Sequence, residues 1–323
     1  ETGAFGTEAY ILTGYFNLPK ILELTLNDGF DKRTGKQIGL KTGTATDYRT
    51  YEELFAAYKA QVQHFMRIKL TGNNIIERIF MKYMPVPFLS VLIEDCIRNG
   101  KDYMCGGARY NSSYVQGVGL GSITDMLTAL RYHVYDKKTI AMETMEKALA
   151  NDFKGFEELQ YQLVYHTPKY GNDDPRADEF AVWLLKTFME KIKKNKTYRN
   201  SEPTTSVLTI TSNVVYGKAT GALPDGRPAY TPFAPGASPS YGAEKSGLLA
   251  SLNSVAKLPY EYALDGISNT QTMAPSALGH DLDEQKNTLV RVMDGYFDRG
   301  AHHLNVNVFG TEKLLDAQAH PEK

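Results

Sequence analysis

The residues whose types could carry chemistry are two cysteines, seven histidines, two glycine-dense stretches and a few isolated polar side chains. Cys96 lies in an apolar stretch and reads as a core thiol. Cys105 precedes two glycines and reads as more exposed. Neither has a histidine beside it in sequence, so a thiolate nucleophile is poorly supported. The histidines show no HExxH pattern and no helical pairing. His302 and His303 are adjacent, which on a strand sends them to opposite faces, so they do not form a metal pair. Gly117-Val118-Gly119-Leu120-Gly121 is rich enough in glycine to suggest a phosphate cradle. It lacks the preceding β-branched strand and the spacing of a dinucleotide or nucleotide loop, so close backbone approach is the better reading. Pro224-Asp225-Gly226-Arg227 is a turn signal, with Arg227 by default on its surface.

Composition narrows the partners. The chain has 323 residues, 42% hydrophobic and 23% charged, as in ordinary globular proteins. Thirty-six Lys and Arg face 37 Asp and Glu, so no charge excess argues for nucleic acid or a membrane surface. No apolar run reaches the ~18 residues of a membrane span. Two cysteines exclude a disulfide framework and a four-cysteine zinc site. With no basic, apolar leader, the expected setting is a reducing cytoplasm.

The elements that must position these residues are mostly helices. Residues 8–16 read as a short helix. Pro19 starts a second, ended by Asn27-Asp28-Gly29. Residues 31–50 read as a loop. Leu54, Tyr58, Val62 and Phe65 mark one face of a helix over 51–70. Further helices are expected over 73–83 and 88–98, and 106–122 reads as irregular. A helix follows from Ser122, with Asp125 as a capping carboxylate. Others fall near 138–150 and 155–165. Asp174 and Pro175 start a long helix whose buried stripe is Phe180, Leu184, Phe188 and Ile192. The β-branched run 204–217 reads as a strand that places Thr209 and Thr211 on one face. A Gly- and Pro-rich stretch to 242, helices over 247–258 and 283–297, a strand over 302–309 and a helix from Thr311 complete the chain. On that strand Leu304, Val306 and Val308 alternate with Asn305 and Asn307, which read as structural. Long helices with strands far apart in sequence predict an α/β architecture.

Several stretches resemble the glycyl radical enzyme family, the pyruvate formate-lyase superfamily, over essentially the whole chain. "ETGAFGTEAYILTGYFNLPKILELTLNDGFD" and "GKDYMCGGARYNSSYVQGVGLGSITD" resemble its dehydratase branch. "SVLTITSNVVYGKATGALPDGR", "SLNSVAKLPYEYALDGIS", "PSALG", "MDGYF" and "HLNVNVF" resemble its formate acetyltransferase branch. The two affinities meet near "TPKYGNDDP". The resemblance implies the C-terminal portion of a ten-stranded α/β barrel, mostly helical over 1–200 and carrying the later strands over 201–323.

It also implies a chemistry. In dehydratase-type members a Cys-x-Glu loop carries the thiyl residue, and "ETG" matches the Glu and its sequel. The catalytic Cys would then lie two residues before Glu1, and the radical-bearing Gly a short way beyond Lys323. Glu1 would be the acid–base carboxylate next to the thiyl. The protein-based glycyl radical would be installed by an S-adenosylmethionine-dependent Fe-S activating enzyme, with no other bound cofactor and no metal ligand in this chain. Tyr15 stands where the formate acetyltransferases have an Arg for the pyruvate carboxylate. That favours a small hydroxylated substrate, such as 4-hydroxyproline or a diol. Thr209 and Thr211 are further candidates for the pocket, against a reading as packed β-branched residues. Family analogy adds a homodimer and anaerobic metabolism. Two other readings stand beside the dehydratase: a formate acetyltransferase, from residues 204–323, and an inert or non-catalytic interaction piece.

Overall fold

The computed structural model describes residues 6–199, 201–209, 211–264 and 266–322. Its strands are β1 (Glu8–Asn17), β2 (Phe30–Asp31), β3 (Lys36–Gln37), β4 (Tyr110–Val118), β5 (Thr204–Ser206), β6 (Asn269–Met273) and β7 (Leu304–Val308). The first helices are α1 (Leu18–Leu26), α2 (Tyr51–Tyr83), α3 (Pro87–Leu92), α4 (Cys96–Asn99), α5 (Leu120–Ala129), α6 (Met142–Ala150), α7 (Glu157–Tyr165) and α8 (Pro175–Lys193). Then come α9 (Ser212–Gly217), α10 (Leu248–Ala256), α11 (Pro275–Leu278), α12 (Leu282–Phe297) and α13 (Thr311–Ala319).

The sheet is an arc of parallel strands. β4 lies between β1 and β5, and all three run parallel. β6 and β7 pair in parallel, and a bridge from Val207 to Ile267 joins β5 to β6. Parallel strands need long crossovers, and helices fill them. This matches the expected portion of an α/β barrel. β2 and β3 form a small antiparallel hairpin inside the predicted loop.

Helix boundaries follow their caps. Asp174 accepts from Arg176 N–H and Pro175 opens α8. Its stripe of Phe180, Leu184, Phe188 and Ile192 is buried, as the spacing requires. Leu184 and Phe188 join Leu22 of α1, Leu54 of α2 and Met126 of α5 in one core. Each such side chain contributes about 1.5–3 kcal/mol by burial. α2 starts at a capping box of Thr50 and Glu53 and runs unbroken through Gly72 to Tyr83, longer than the two helices expected there. The helix expected over 88–98 is split, because Asp95 takes a left-handed conformation at φ 75°.

Several expectations fail. Residues 8–16 are strand β1, not helix. The Gly-rich stretch holds strand β4, whose pairing on both edges fixes a sequence of weak strand propensity. The strand expected over 204–217 stops at Ser206, and its later part turns into α9.

Buried polar groups tie the segments together. Glu77 of α2 and Arg199 pair at 3.2 Å with side chains 0% and 3% exposed, and Arg199 also donates to Ser112 O on β4. Burial outweighs the cation and holds Glu77 above its ordinary range. Asp125 does not cap α5. It lies within that helix, and its Oδ1 accepts from Tyr170 N–H at 2.8 Å. That bond anchors the 167–174 loop. Asn172 then accepts from Lys245 and Ser246 N–H, and Asp173 pairs with Lys257. Arg227 is not a surface side chain. It is half-buried and donates to the carbonyls of Thr220, Gly221 and Thr231.

Burial raises the Asp125 carboxyl to about 7. A carboxyl raised on folding favours the native state below its unfolded value, and that contribution is lost as pH climbs to the folded one. Asp125→Asn removes this titration and keeps an oxygen for Tyr170. Urea midpoints should therefore shift in favour of the variant between pH 4 and 7, with a constant gap above pH 8. A gap independent of pH would contradict the buried, raised carboxyl.

Candidate functional site

The parallel register brings together side chains that the sequence keeps far apart. β1, β4 and β5 end at Asn17, Val118 and Ser206 on one edge of the arc. Carboxyl ends of parallel strands are where α/β sheets bind ligands. Near that edge Tyr15 pairs with Gln116, and Gln116 pairs with Ser206. Directly paired residues share a face at about 4.8 Å spacing, so these three form one polar row. One step earlier, Leu12, Tyr114 and Thr204 form a second row on the same face.

The opposite face is the core. Phe16 and Val115 point there and pack with Val62, Met66 and Leu70 of α2. Tyr15 reaches the polar face only because β1 carries a bulge. Leu12 pairs with Tyr114 and Tyr15 with Gln116, so β1 spends three residues where β4 spends two. Without that slip Tyr15 would oppose Gly117 and point into the core.

The row is poorly satisfied by the protein itself. Gln116 Oε1, Ser206 Oγ and Thr204 Oγ1 are buried with no hydrogen-bond partner among the described residues. Buried acceptors normally find a donor, so each such atom calls for an explanation. Tyr15 is half-buried, with its ring 6.0 Å from that of Tyr216. Burial first, and the neighbouring Tyr15 second, push the Tyr216 phenol upward. Asn17 closes the edge. Its Oδ1 accepts from Lys20 N–H to cap α1, and its Nδ2 donates to Tyr216 O and Thr220 Oγ1.

Of the residues singled out from the sequence, Glu1 lies outside the described residues. Tyr15 sits in the polar row. Thr209 and Thr211 do not share a strand face, because both follow the end of β5. Thr209 is buried, and its hydroxyl accepts from Gly236 N–H at 2.7 Å. Thr211 is exposed at the start of α9 and makes no capping bond. Gln116 and Ser206 were not legible as site residues, since only the register places them beside Tyr15.

The cysteines stand apart. Cys96 packs among Ala9, Ile11, Tyr103 and Ala108, and burial raises its thiol. Cys105 lies 4.0 Å from Met81 O, and burial raises its thiol too. Neither environment favours a thiolate. Among the described residues no group of three or more His, Cys, Asp or Glu could hold a metal. No helix there is long and apolar enough to cross a membrane. A surface cleft lined by Glu23, Arg33, Met145, Asp152 and Tyr230 shares no residue with the polar row.

Known proteins give this geometry a context. The family described as pyruvate formate lyase-like matches residues 1–217, and the one described as glycine radical matches residues 233–323. Trans-4-hydroxy-L-proline dehydratase of Clostridioides difficile is 44% identical over 324 residues, covering 100% of this chain and 40% of the relative. The crystal structure of the C. difficile hydroxyproline dehydratase with trans-4-hydroxy-L-proline bound superposes with a TM-score of 0.95 at 42% identity, over 100% of this chain and 40% of that one. A glycerol-bound B12-independent glycerol dehydratase from Clostridium butyricum gives 0.89 at 38% identity, over 97% and 40%. A Roseburia inulinivorans structure concerned with 1,2-propanediol dehydration gives 0.89 at 32% identity, over 97% and 40%. The chain thus spans about 40% of the length of the relatives it matches.

The Thr209 bond makes a prediction. Thr209→Val strands the buried Gly236 N–H and should cost about 1–3 kcal/mol of stability, while Thr209→Ser should restore most of it. Denaturant midpoints of the three proteins decide. Equal midpoints for Thr209→Val and the parent would show that the hydroxyl is not committed to Gly236.

Proposed function

This chain belongs to the pyruvate formate lyase-like, glycyl radical family, and from that membership we propose that the protein carrying it is a radical dehydratase, a C–O lyase acting on a small hydroxylated substrate. One observation carries the choice within the family. The polar row has Tyr15 at its head, with the oxygens of Gln116 and Ser206, unpartnered among the described residues, beside it. These are neutral groups suited to hydroxyl or amine hydrogens. None is a cation of the kind a keto-acid carboxylate would require.

The glycyl radical, installed by an activating enzyme dependent on S-adenosylmethionine, supplies one-electron hydrogen abstraction through a thiol. Cys96 and Cys105 lie away from the polar row, among Ala9, Ile11 and Tyr103 and against Met81 O respectively. In the net reaction a hydrogen atom leaves the carbon next to the hydroxyl-bearing one. The O–H or N–H on that carbon gives up a proton, the C–O bond breaks as its oxygen gains one, water departs and the hydrogen atom returns to the carbon that lost the oxygen. The substrate loses one water and undergoes no net redox change.

The chain's own residues bind and orient. The Tyr15 phenol donates to a substrate oxygen or carboxylate, and Gln116 and Ser206 receive its O–H or N–H hydrogens. Glu1, by resemblance, is the carboxyl that exchanges the proton with the departing oxygen. Thr209 serves the site by holding the loop at Gly236, and Thr211 flanks it. Residues 1–200 and 201–323 act as two parts of one barrel section. A homodimer in an anaerobic cytoplasm accompanies this reading. The C. difficile, C. butyricum and R. inulinivorans relatives suggest the substrates to try: 4-hydroxyproline, glycerol and propane-1,2-diol.

The test uses the intact protein, activated without oxygen and offered those three compounds and pyruvate with coenzyme A. Dehydration of at least one of the three, with pyruvate untouched, is the expected result. Tyr15→Phe should then lower kcat/KM about three- to tenfold, the worth of one neutral hydrogen bond. Formation of acetyl-coenzyme A and formate would instead assign the protein to the acetyltransferase branch. No turnover of any of the four would favour a non-catalytic role.

A further inference from the structure

The bulge that turns Tyr15 toward the polar face has a support of its own. Thr13 and Gly14 are the residues between the paired positions Leu12 and Tyr15. Gly14 has φ +140°, a conformation that L side chains rarely adopt. A Cβ there would lie 2.5 Å from Lys69 Nζ. Lys69 comes from α2 and donates to Thr13 O at 3.1 Å. Burial lowers its ammonium below the ordinary lysine value, and no carboxylate lies within 4.0 Å of it among the described residues. A partly buried cation without an ion pair is costly to keep. Here it is spent on one backbone carbonyl at the point where β1 changes parity.

We propose that Lys69 is the positioning residue for Tyr15: its ammonium clamps the Thr13–Gly14 bulge and so fixes which face of β1 the Tyr15 side chain occupies. Lys69 acts from the core side of the sheet and does not touch the substrate face. Its neighbours on α2, Met66 and Leu70, pack with Phe16, the residue on the opposite face from Tyr15. The clamp works through backbone geometry. With the carbonyl released, β1 can relax toward regular pairing, in which residues 15 and 16 exchange faces. Gly14 is the matching part, because only a residue without a Cβ leaves room for the amine.

The inference deepens the dehydratase reading and relies on it only for the activity readout. The experiment uses the intact protein with 3-fluorotyrosine at position 15, as parent, Lys69→Met, Lys69→Arg and Gly14→Ala. The ¹⁹F resonance reports the surroundings of residue 15 whether or not the protein turns anything over. Lys69→Met and Gly14→Ala should move or broaden it, and Lys69→Arg, which can still reach Thr13 O, should largely restore it. In activity assays Lys69→Met should lose about ten- to a hundredfold in kcat/KM, as a misplaced site group does. Tyr15→Phe added to Lys69→Met should cost little more, because the hydroxyl it removes has already left its place. An unmoved resonance in both Lys69→Met and Gly14→Ala, or fully additive losses with Tyr15→Phe, overturns the proposal. Should Lys69→Met not fold, Gly14→Ala carries the measurement alone. A parent that dehydrates nothing refutes the dehydratase reading and leaves the fluorine result to decide on Lys69.

Discussion

Everything placed in the candidate site depends on hydrogen-bonded parallel pairing between β1, β4 and β5. Parallel strands cannot be joined by tight turns, so each pairing obliges a helical crossover that covers a face. The helices α1, α2, α5 and α8 meet this need, and their apolar stripes form the core beneath the sheet. With one face sealed by helices, polar side chains have only the other to occupy. Tyr15, Gln116 and Ser206 collect there through the pairing alone, since no local sequence feature relates them.

Charge is handled differently on the two faces. Beneath the sheet, ionisable groups are few and each is matched to a structural task. Arg199 and Glu77 pair and tie α2 to β4. Asp125 holds the 167–174 loop through Tyr170, and that loop in turn fastens residues 245–246 and Lys257. Removing one member of such a buried pair typically costs more than the pair contributes, because the partner is left desolvated. On the site face the row of Tyr15, Gln116 and Ser206 is neutral, the carboxyl of Glu8 further along β1 accepts from the Tyr114 hydroxyl, and several polar atoms have no partner among the described residues. A site left with unpartnered acceptors discriminates strongly for ligands that carry the missing hydrogens.

Much of this was legible beforehand, and the gaps have physical causes. α8 was readable because its cap at Asp174 and its apolar periodicity agreed. β1 was misread as a helix because its alternation changes phase at Thr13-Gly14, which destroys the period-two pattern that marks a strand. β4, "YNSSYVQGV", holds few β-branched residues, and its form comes from neighbours on both edges. The run from Thr204 was read too far because Val214 and Val215 have strand propensity, yet tertiary context makes them helical in α9. Tyr15 was reached through family resemblance. Gln116 and Ser206 required the register, and Lys69 required the bulge, both properties of pairing across long separations that periodicity does not encode.

The β1–β4 pairing also has a consequence in time. Glu8 pairs with Tyr110, so β1 must wait for about a hundred further residues before its partner exists. At translation rates of roughly 5–20 residues per second, that wait lasts roughly 5–20 seconds. During it, the strand's open backbone edge and the apolar face of α2 have nothing to bury against. High contact order slows the search even once the chain is whole. The interval between making β1 and making β4 is therefore when the nascent chain is most exposed to wrong pairing, and when a chaperone that shields strand edges would matter most.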